Sequence, residues 1–333
     1  MASARQPVHG VSPFGSATTR ACGGLLLCVG LWGMVFPGSA RLLARIDAVQ
    51  VVALRFLVVS LFFAVMFAAR PSLIPRFPRR RWLLVVACGV LAVPGSQLAI
   101  VQAQRYLSPS LASLLPTFAP AIAALLAAIF LSDRLGTWQS VGFALALVGV
   151  VLILVVGSGT GVSLNASNPF DAAIGLITPL SWALYTLAVR PVSGSGSPIG
   201  IVGVVYILGT LTLAPAFPSA LSVIGRLDAG DWLWLVAMAT VGTVVPNVMW
   251  VLSLRHLSVG RTTVFMYLIP VFASLWTLVA LGRAPEAIAL PGGLLVIAGV
   301  ALTQRGRAQA ATAVVTAARL EAETPLGHVT LPR

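Results

Sequence analysis

The chain has 333 residues, 58% of them hydrophobic and only 9% charged, with a mean hydropathy of +0.99. Soluble domains carry roughly 25% charged residues, so a soluble enzyme, a disulfide-rich secreted scaffold and a disordered chain are excluded. The net charge of +13 rests on arginine alone, since no lysine occurs, and the arginines lie between apolar runs, where they orient a membrane protein rather than bind nucleic acid.

Residues 1–22 are polar and small and read as a cytoplasmic N-terminal segment. The apolar run that follows is succeeded by many others, so it reads as a first span and not as a cleaved signal. A crossing helix needs about 20 apolar residues. Windows of that length predict ten transmembrane helices near 23–40, 48–69, 82–104, 109–131, 137–157, 172–190, 198–217, 232–253, 262–282 and 287–304. The Pro/Gly/Ser/Asn stretches Gly157–Asn168 and Val192–Pro198 are the clearest breaks, and no loop could hold a domain. Residues 305–333, rich in Ala, Thr and Arg, are too polar to span and read as a cytoplasmic tail. Cys22, Cys28 and Cys88 have neither disulfide nor metal-site spacing and read as small core residues.

The positive-inside rule sets the orientation. With the N-terminus inside, the cytoplasmic segments hold Arg5, Arg20, Arg70, Arg76, Arg79, Arg80, Arg81, Arg134, Arg190, Arg255, Arg261, Arg305 and Arg307. The outer segments hold only Arg41, Arg45, Arg105, Arg226 and Arg283. Both termini are therefore expected in the cytoplasm.

Shifting the chain against itself by 150 residues superposes 82–153 on 232–303 without a gap. Trp82 meets Trp232, Arg105 meets Arg255, Pro120 meets Pro270, Gly142 meets Gly292 and Gly149 meets Gly299, while Trp32 meets Trp182. The chain thus reads as a first repeat over 23–157 and a second over 172–304, five spans each. An odd number of spans forces the second copy to enter the membrane from the opposite side. Inverted repeats place a binding site near mid-depth with two alternative gates, the architecture of secondary transporters.

On these residues the chain resembles the EamA-type branch of the drug/metabolite transporter superfamily. The stretches that carry the resemblance are Leu31-Trp32-Gly33, Leu54-Arg55-Phe56, Tyr106-Leu107-Ser108, Pro120, Leu131-Ser132-Asp133-Arg134-Leu135 and Gly142 to Gly149. In the second copy they are Ser181-Trp182-Ala183, Arg255-His256-Leu257-Ser258, Pro270, Leu281-Gly282 and Gly292 to Gly299. One departure stands out. Where relatives usually carry Gly-Glu-Arg after spans four and nine, this chain has Asp133 in the first copy, and Arg283 with Glu286 three residues later in the second. The resemblance implies a multi-pass carrier of the cytoplasmic membrane, usually an exporter, for amino acids, other small metabolites or drug-like amphiphiles.

Trp32 and Trp182 fall mid-span, unlike Trp82, Trp138 and Trp232, which sit at span ends where tryptophan normally anchors. Gln97 and Asn247 are equivalent amides well inside spans three and eight, where each must bond another helix, water or solute. Arg55 is the charged residue clearly within a span, close enough to its end to snorkel and otherwise suited to a carboxylate. Tyr185 and Tyr267 could add aromatic walls with hydroxyl handles. These seven are the substrate-binding candidates. Gln102 and Gln104 read as interfacial. Pro120 and Pro270 interrupt spans four and nine and read as hinges or static kinks. Gly142, Ala146 and Gly149, with Gly292 and Gly299, form small-residue faces for close packing.

The eight acids and three histidines all lie at span ends, in loops or in tails, so a titratable relay within the membrane is not expected. Without HExxH, paired aspartates at depth or a Ser/His pair, an intramembrane enzyme is not expected either, nor any cofactor or metal. The expected partners are a small-molecule substrate and the lipid bilayer. A flippase or carrier for a lipid-linked or nucleotide-linked head group is the alternative, and a homodimer and a monomer both remain open.

Overall fold

The structure is a computed structural model that describes residues 16–130, 137–157, 174–257, 262–284, 290–299 and 301–302. The readings made at Asp133, Asp171 and Glu286 and over the terminal tails lie outside these residues. Within them every regular element is helical and no strand occurs. In chain order the helices are α1 (Arg20–Leu43), α2 (Ala48–Ala69), α3 (Arg79–Ala103), α4 (Pro109–Ala123), α5 (Ser140–Gly149), α6 (Ile177–Val189), α7 (Pro198–Leu211), α8 (Ala229–His256), α9 (Phe265–Leu281) and α10 (Leu290–Gly299). By length and composition α1, α2, α3 and α8 are four candidate membrane spans. A fifth arises if α7 and the segment Ala214–Ser222, bent by 58° from it, form one span. The seventh predicted span, 198–217, is therefore broken. Pro215 and Pro218 lack the N–H that would carry the helix past Leu211.

The outer surface is apolar. Leu61, Val65, Leu83, Leu233 and Val279 are exposed, as suits contact with lipid and not with water. Polar side chains turn inward instead. In α2 the polar residues are Gln50, Arg55 and Ser60, and each bonds a different helix or segment: Gln50 to Ser219, Arg55 to Gln97, and Ser60 to Thr210.

Chain direction follows from the contacts. The C-terminal part of α1 meets the start of α8 through Arg41 and Asp231, and earlier in α1 the Cys28 thiol donates to the Pro246 carbonyl at 3.2 Å. Thus α1 and α8 run antiparallel. The same holds for α6 and α3, where the Thr178 hydroxyl donates to the Ser96 carbonyl at 3.4 Å. These two bonds are one bond repeated: 28 and 178 differ by 150, and so do 96 and 246. Equivalent residues also touch each other directly. Ser60 donates to Thr210 at 2.8 Å, and Trp32 meets Trp182 edge-on with ring centroids 5.1 Å apart. At α5 and α10 the glycine faces pack reciprocally, Gly149 on the Gly292 carbonyl and Gly299 on the Gly142 carbonyl, as the small-residue reading expected.

Irregular turns recur at equivalent places too. A π-helical segment spans Leu91–Leu98 in α3 and another spans Thr240–Val244 in α8. A 3₁₀ turn covers Leu115–Phe118 before Pro120 and another covers Val264–Leu268 before Pro270. Both prolines sit in the first turn of the α-helical stretch that follows, Ala119–Phe130 for Pro120 and Ile269–Leu281 for Pro270, where a missing N–H removes no intrahelical bond. The interruption is therefore the tightened turn ahead of each proline.

At one end of the bundle a four-charge clamp joins the two halves. Arg41 Nε lies 2.8 Å from Asp231 Oδ1, Arg45 Nη2 2.6 Å from Asp228 Oδ2, and Arg45 Nη1 3.1 Å from Asp231 Oδ2. Asp228 and Asp231 also cap α8 reciprocally, and the Asp231 side chain is fully buried. The Asp231 backbone N–H, followed by Arg45 and Arg41, holds the Asp228 carboxyl below its ordinary 3.8. At the opposite end Arg81 donates to the Pro191 carbonyl and to Ser195, while Arg255 donates to the Ser193 and Gly196 carbonyls.

Because Asp228 is depressed in the folded state, its contribution is complete above about pH 3.8 and lost as pH falls through the lower folded value. Arg45→Gln is thus expected to lower the melting temperature in detergent at pH 7, with the difference from wild type shrinking below pH 4. Asp231→Ala is expected to cost about 1–3 kcal/mol at pH 7, between exposed and buried ion pairs. Thermal unfolding of both variants across pH 3–7 checks this.

Candidate functional site

A cavity lies among α1, α3, α4, α6, α8 and α9. It gives the centres of water-sized molecules about 60 Å³, several times the roughly 10–15 Å³ that one water needs. From α1 come Trp32, Val35, Phe36 and Ser39, from α3 Ser96, Gln97, Ile100 and Val101, and from the position just past its end Gln104. α4 adds Pro116, α6 adds Thr178 and Trp182, α8 adds Gly242, Thr243 and Asn247, and α9 adds Met266 and Ile269. The contributing helices are equivalent under the 150-residue shift: α1 to α6, α3 to α8 and α4 to α9. None of the described residues that line it is charged.

Four of the seven expected residues, Trp32, Gln97, Trp182 and Asn247, line this cavity together. The lining residues of α1 and α3 lie toward their C-terminal ends and those of α8 in its middle, which displaces the cavity toward the clamp. On its other side three indoles pack on one another. Trp32 to Trp182 is 5.1 Å, Trp32 to Trp250 is 5.3 Å and Trp182 to Trp250 is 5.6 Å between centroids. Tyr185 stacks beneath Trp182 at 5.1 Å and is fully buried, so it backs the indoles and does not reach the cavity. Tyr267 also misses it. In the 3₁₀ turn, three residues per turn put Met266 and Ile269 on one face and turn Tyr267 aside.

Arg55 neither snorkels nor lines the cavity. It is 0% exposed, lies with its guanidinium carbon 4.9 Å from the Phe56 ring centroid, and donates from Nη2 to Gln97 Oε1 at 2.5 Å. Its Nε and Nη1 have no partner within the described residues. Rise along the helix axis suggested reach to the headgroups, but the side chain leans inward, behind Gln97. Further buried polar atoms without a partner surround the same region: Trp182 Nε1, Tyr185 Oη, Asn247 Oδ1, Trp250 Nε1 and Tyr267 Oη. Such atoms are costly in an apolar interior, and two of them, Trp182 Nε1 and Asn247 Oδ1, belong to residues that line the cavity.

Several members were missed. Gln104, read as interfacial, is buried and lines the cavity, its Nε2 donating to the Phe36 carbonyl at 3.4 Å. Its position seven residues after Gln97, two turns along the same helical face, was the available signal. Ser39, Ser96, Thr178 and Thr243 are too common in apolar helices to stand out. Trp250 was hidden by its lack of a tryptophan at the equivalent position, Ile100.

The sequence pattern of the EamA-like transporter family matches residues 19–155 and 171–305. Among relatives, a "Probable terminal-alkyne amino-acid exporter" of Streptantibioticus cattleyicolor is 29% identical over 86% of this chain and 94% of its own length. A "Probable amino-acid metabolite efflux pump" of Salmonella typhimurium is 26% identical over 83% of this chain and 91% of its own. A solved crystal structure covers 91% of this chain and 99% of its own at 20% identity, with a TM-score of 0.57, which shows a shared fold.

A buried guanidinium with two unpaired nitrogens opposes folding. Arg55→Met, similar in length and apolar, is therefore expected to raise thermal stability by about 1–3 kcal/mol. A melting temperature unchanged or lowered in Arg55→Met would mean that the charge is compensated in the folded protein.

Proposed function

The chain belongs to the EamA-like transporter family, and from that premise we propose that it exports small, amino-acid-sized metabolites across the cytoplasmic membrane by alternating access. The observation that carries this reading is the cavity itself, assembled from two equivalent sets of helices that run in opposed senses. In this reading ten helices cross the bilayer in two inverted five-helix repeats, with both termini in the cytoplasm. The arginine distribution supports that orientation and sets the clamp of Arg41, Arg45, Asp228 and Asp231 at the outer face. The names of the two relatives support amino acids or their metabolites as cargo.

Transport then consists of rocking one repeat against the other. The clamp closes the outer end, and the indoles of Trp32, Trp182 and Trp250 wall the cavity from the inner end. Exposure to the cytoplasm requires those indoles to part, and the tightened turns ahead of Pro120 and Pro270 are the natural pivots. Solute would lie against Trp32 and Trp182 and bond Gln97 and Asn247. The described residues that line the cavity include no acid and no histidine, and in this reading the cycle is facilitated diffusion or exchange.

The full chain in proteoliposomes, screened for efflux of labelled amino acids and other metabolites, tests the proposal. Wild type is expected to move at least one such solute without a stoichiometric proton current. Trp32→Ala and Asn247→Ala are expected to lower flux at least about 10-fold with normal insertion. Normal flux in both variants would remove the site. Movement of lipid-linked head groups alone would replace the exporter reading with that of a flippase.

A further inference from the structure

The contacts that tie the two ends of the bundle hold equivalent positions in the two repeats. In the clamp, Arg41 and Arg45 of the first repeat reach Asp231 of the second at 2.8 and 3.1 Å. A shift of 150 residues turns positions 41, 45 and 231 into Pro191, Ser195 and Arg81. Those three residues are the ones joined at the opposite end. Arg81 Nη1 donates to the Pro191 carbonyl at 3.1 Å and to the Ser195 hydroxyl at 3.3 Å. Both ties cross from one repeat to the other. Each fastens the start of α8 or α3 to the chain at the end of its antiparallel neighbour, α1 or α6.

The two ties differ in chemistry. The clamp joins two arginines to two carboxylates, and both acids sit at the N-terminal end of α8, where the helix dipole favours them. Its counterpart is one exposed guanidinium on two neutral acceptors, and no carboxylate joins it among the described residues. Position 78, equivalent to Asp228, is a proline. Resting on the exporter reading, which puts the clamp at the outer face, we infer that Arg81, with the Pro191 carbonyl and the Ser195 hydroxyl, is the inner gate. A tie between repeats must break when the repeats part at its own end, and survives when they part at the other. Arg81 thus opposes exposure of the cavity to the cytoplasm, as the clamp opposes exposure to the outside. Salt screens the opposite charges of the clamp, whereas a guanidinium on neutral acceptors has no partner charge to screen. The balance between the two ties sets which face the empty carrier shows.

A thiol at Ser96, which lines the cavity, reports the open face. The full chain carrying Ser96→Cys is placed in sealed vesicles of either orientation, and labelling by a membrane-impermeant thiol reagent is timed without solute. The chain with only its native Cys22, Cys28 and Cys88 gives the background. Arg81→Gln is expected to speed labelling from the cytoplasmic face at least about 3-fold, and not from the outer face. Ser195→Asp gives Arg81 the carboxylate it lacks. It should slow cytoplasmic labelling by a similar factor, and do nothing once Arg81 is glutamine. Arg45→Gln should speed labelling from the outer face alone. With both ties intact, raising salt from about 0.05 to 1 M should favour outer over cytoplasmic labelling. An equal salt response at the two faces overturns the inference without any gate variant needing to fold. Unchanged cytoplasmic labelling in Arg81→Gln, a rise at both faces or a rise at the outer face alone overturns it too. So does a slowing by Ser195→Asp that persists without Arg81. Solute flux with unchanged labelling in Arg81→Gln sinks the gate and leaves the exporter reading standing. The expected sided labelling without flux of any solute keeps the gate and removes the exporter reading.

Discussion

Hydrocarbon offers no solvent to a polar group, and that constraint organises this molecule. The polar residues of α2 show it most simply: Gln50, Arg55 and Ser60 each find a partner on another element, Gln50 at the exposed start of the helix and Arg55 fully buried. Threonines along the helices bond carbonyls of their own preceding turn, as Thr186, Thr210 and Thr277 do. Against that background, the unpaired polar atoms of Trp182 and Asn247, both residues that line the cavity, are an exception with a location. The apolar solvent makes the interior strict, and the places where it is not strict become informative.

Two further layers depend on this. Helices that bury polar groups pairwise must meet in fixed register, and here one set of pairings is used twice, Cys28 with Pro246 and Thr178 with Ser96. Irregular turns inside helices are frequent at functional sites. The π-helical segment of α3 contains Gln97, that of α8 ends three residues before Asn247, and the 3₁₀ turns of α4 and α9 stand beside the same space. Four departures from the regular helix thus stand beside the cavity, whereas the break of α7 after Leu211 lies away from it.

Much of this was legible in the amino-acid order. The ends of α2 agree with the apolar run, and the 150-residue shift anticipated the contacts between equivalent residues. Trp32, Trp182, Gln97 and Asn247 were found because an indole or an amide at mid-depth is chemically conspicuous. What escaped detection depended on direction and not on composition. Arg55 was placed by axial rise, which says nothing about which way a long side chain leans. Tyr267 was displaced by a change from α to 3₁₀ winding that no residue type announces. The break after Leu211 was announced, by Pro215 and Pro218, yet an unbroken apolar window concealed it. Gln104 looked peripheral because depth was judged by distance from a loop and not by helical face.

The contacts Ser60–Thr210 and Trp32–Trp182 each join a residue to its own counterpart. A single unfused copy of the five-helix unit, pairing with an oppositely inserted twin, would have to make these same touches with identical side chains. Gene fusion lifts that restriction. Once the halves are written separately, a serine can face a threonine, and an isoleucine can stand where the other half keeps a tryptophan. A pair of amides can then also drift to glutamine on one side and asparagine on the other. Two halves written in one chain are free to differ at equivalent positions, as Gln97 and Asn247 or Ile100 and Trp250 do, so the walls they contribute need not mirror each other.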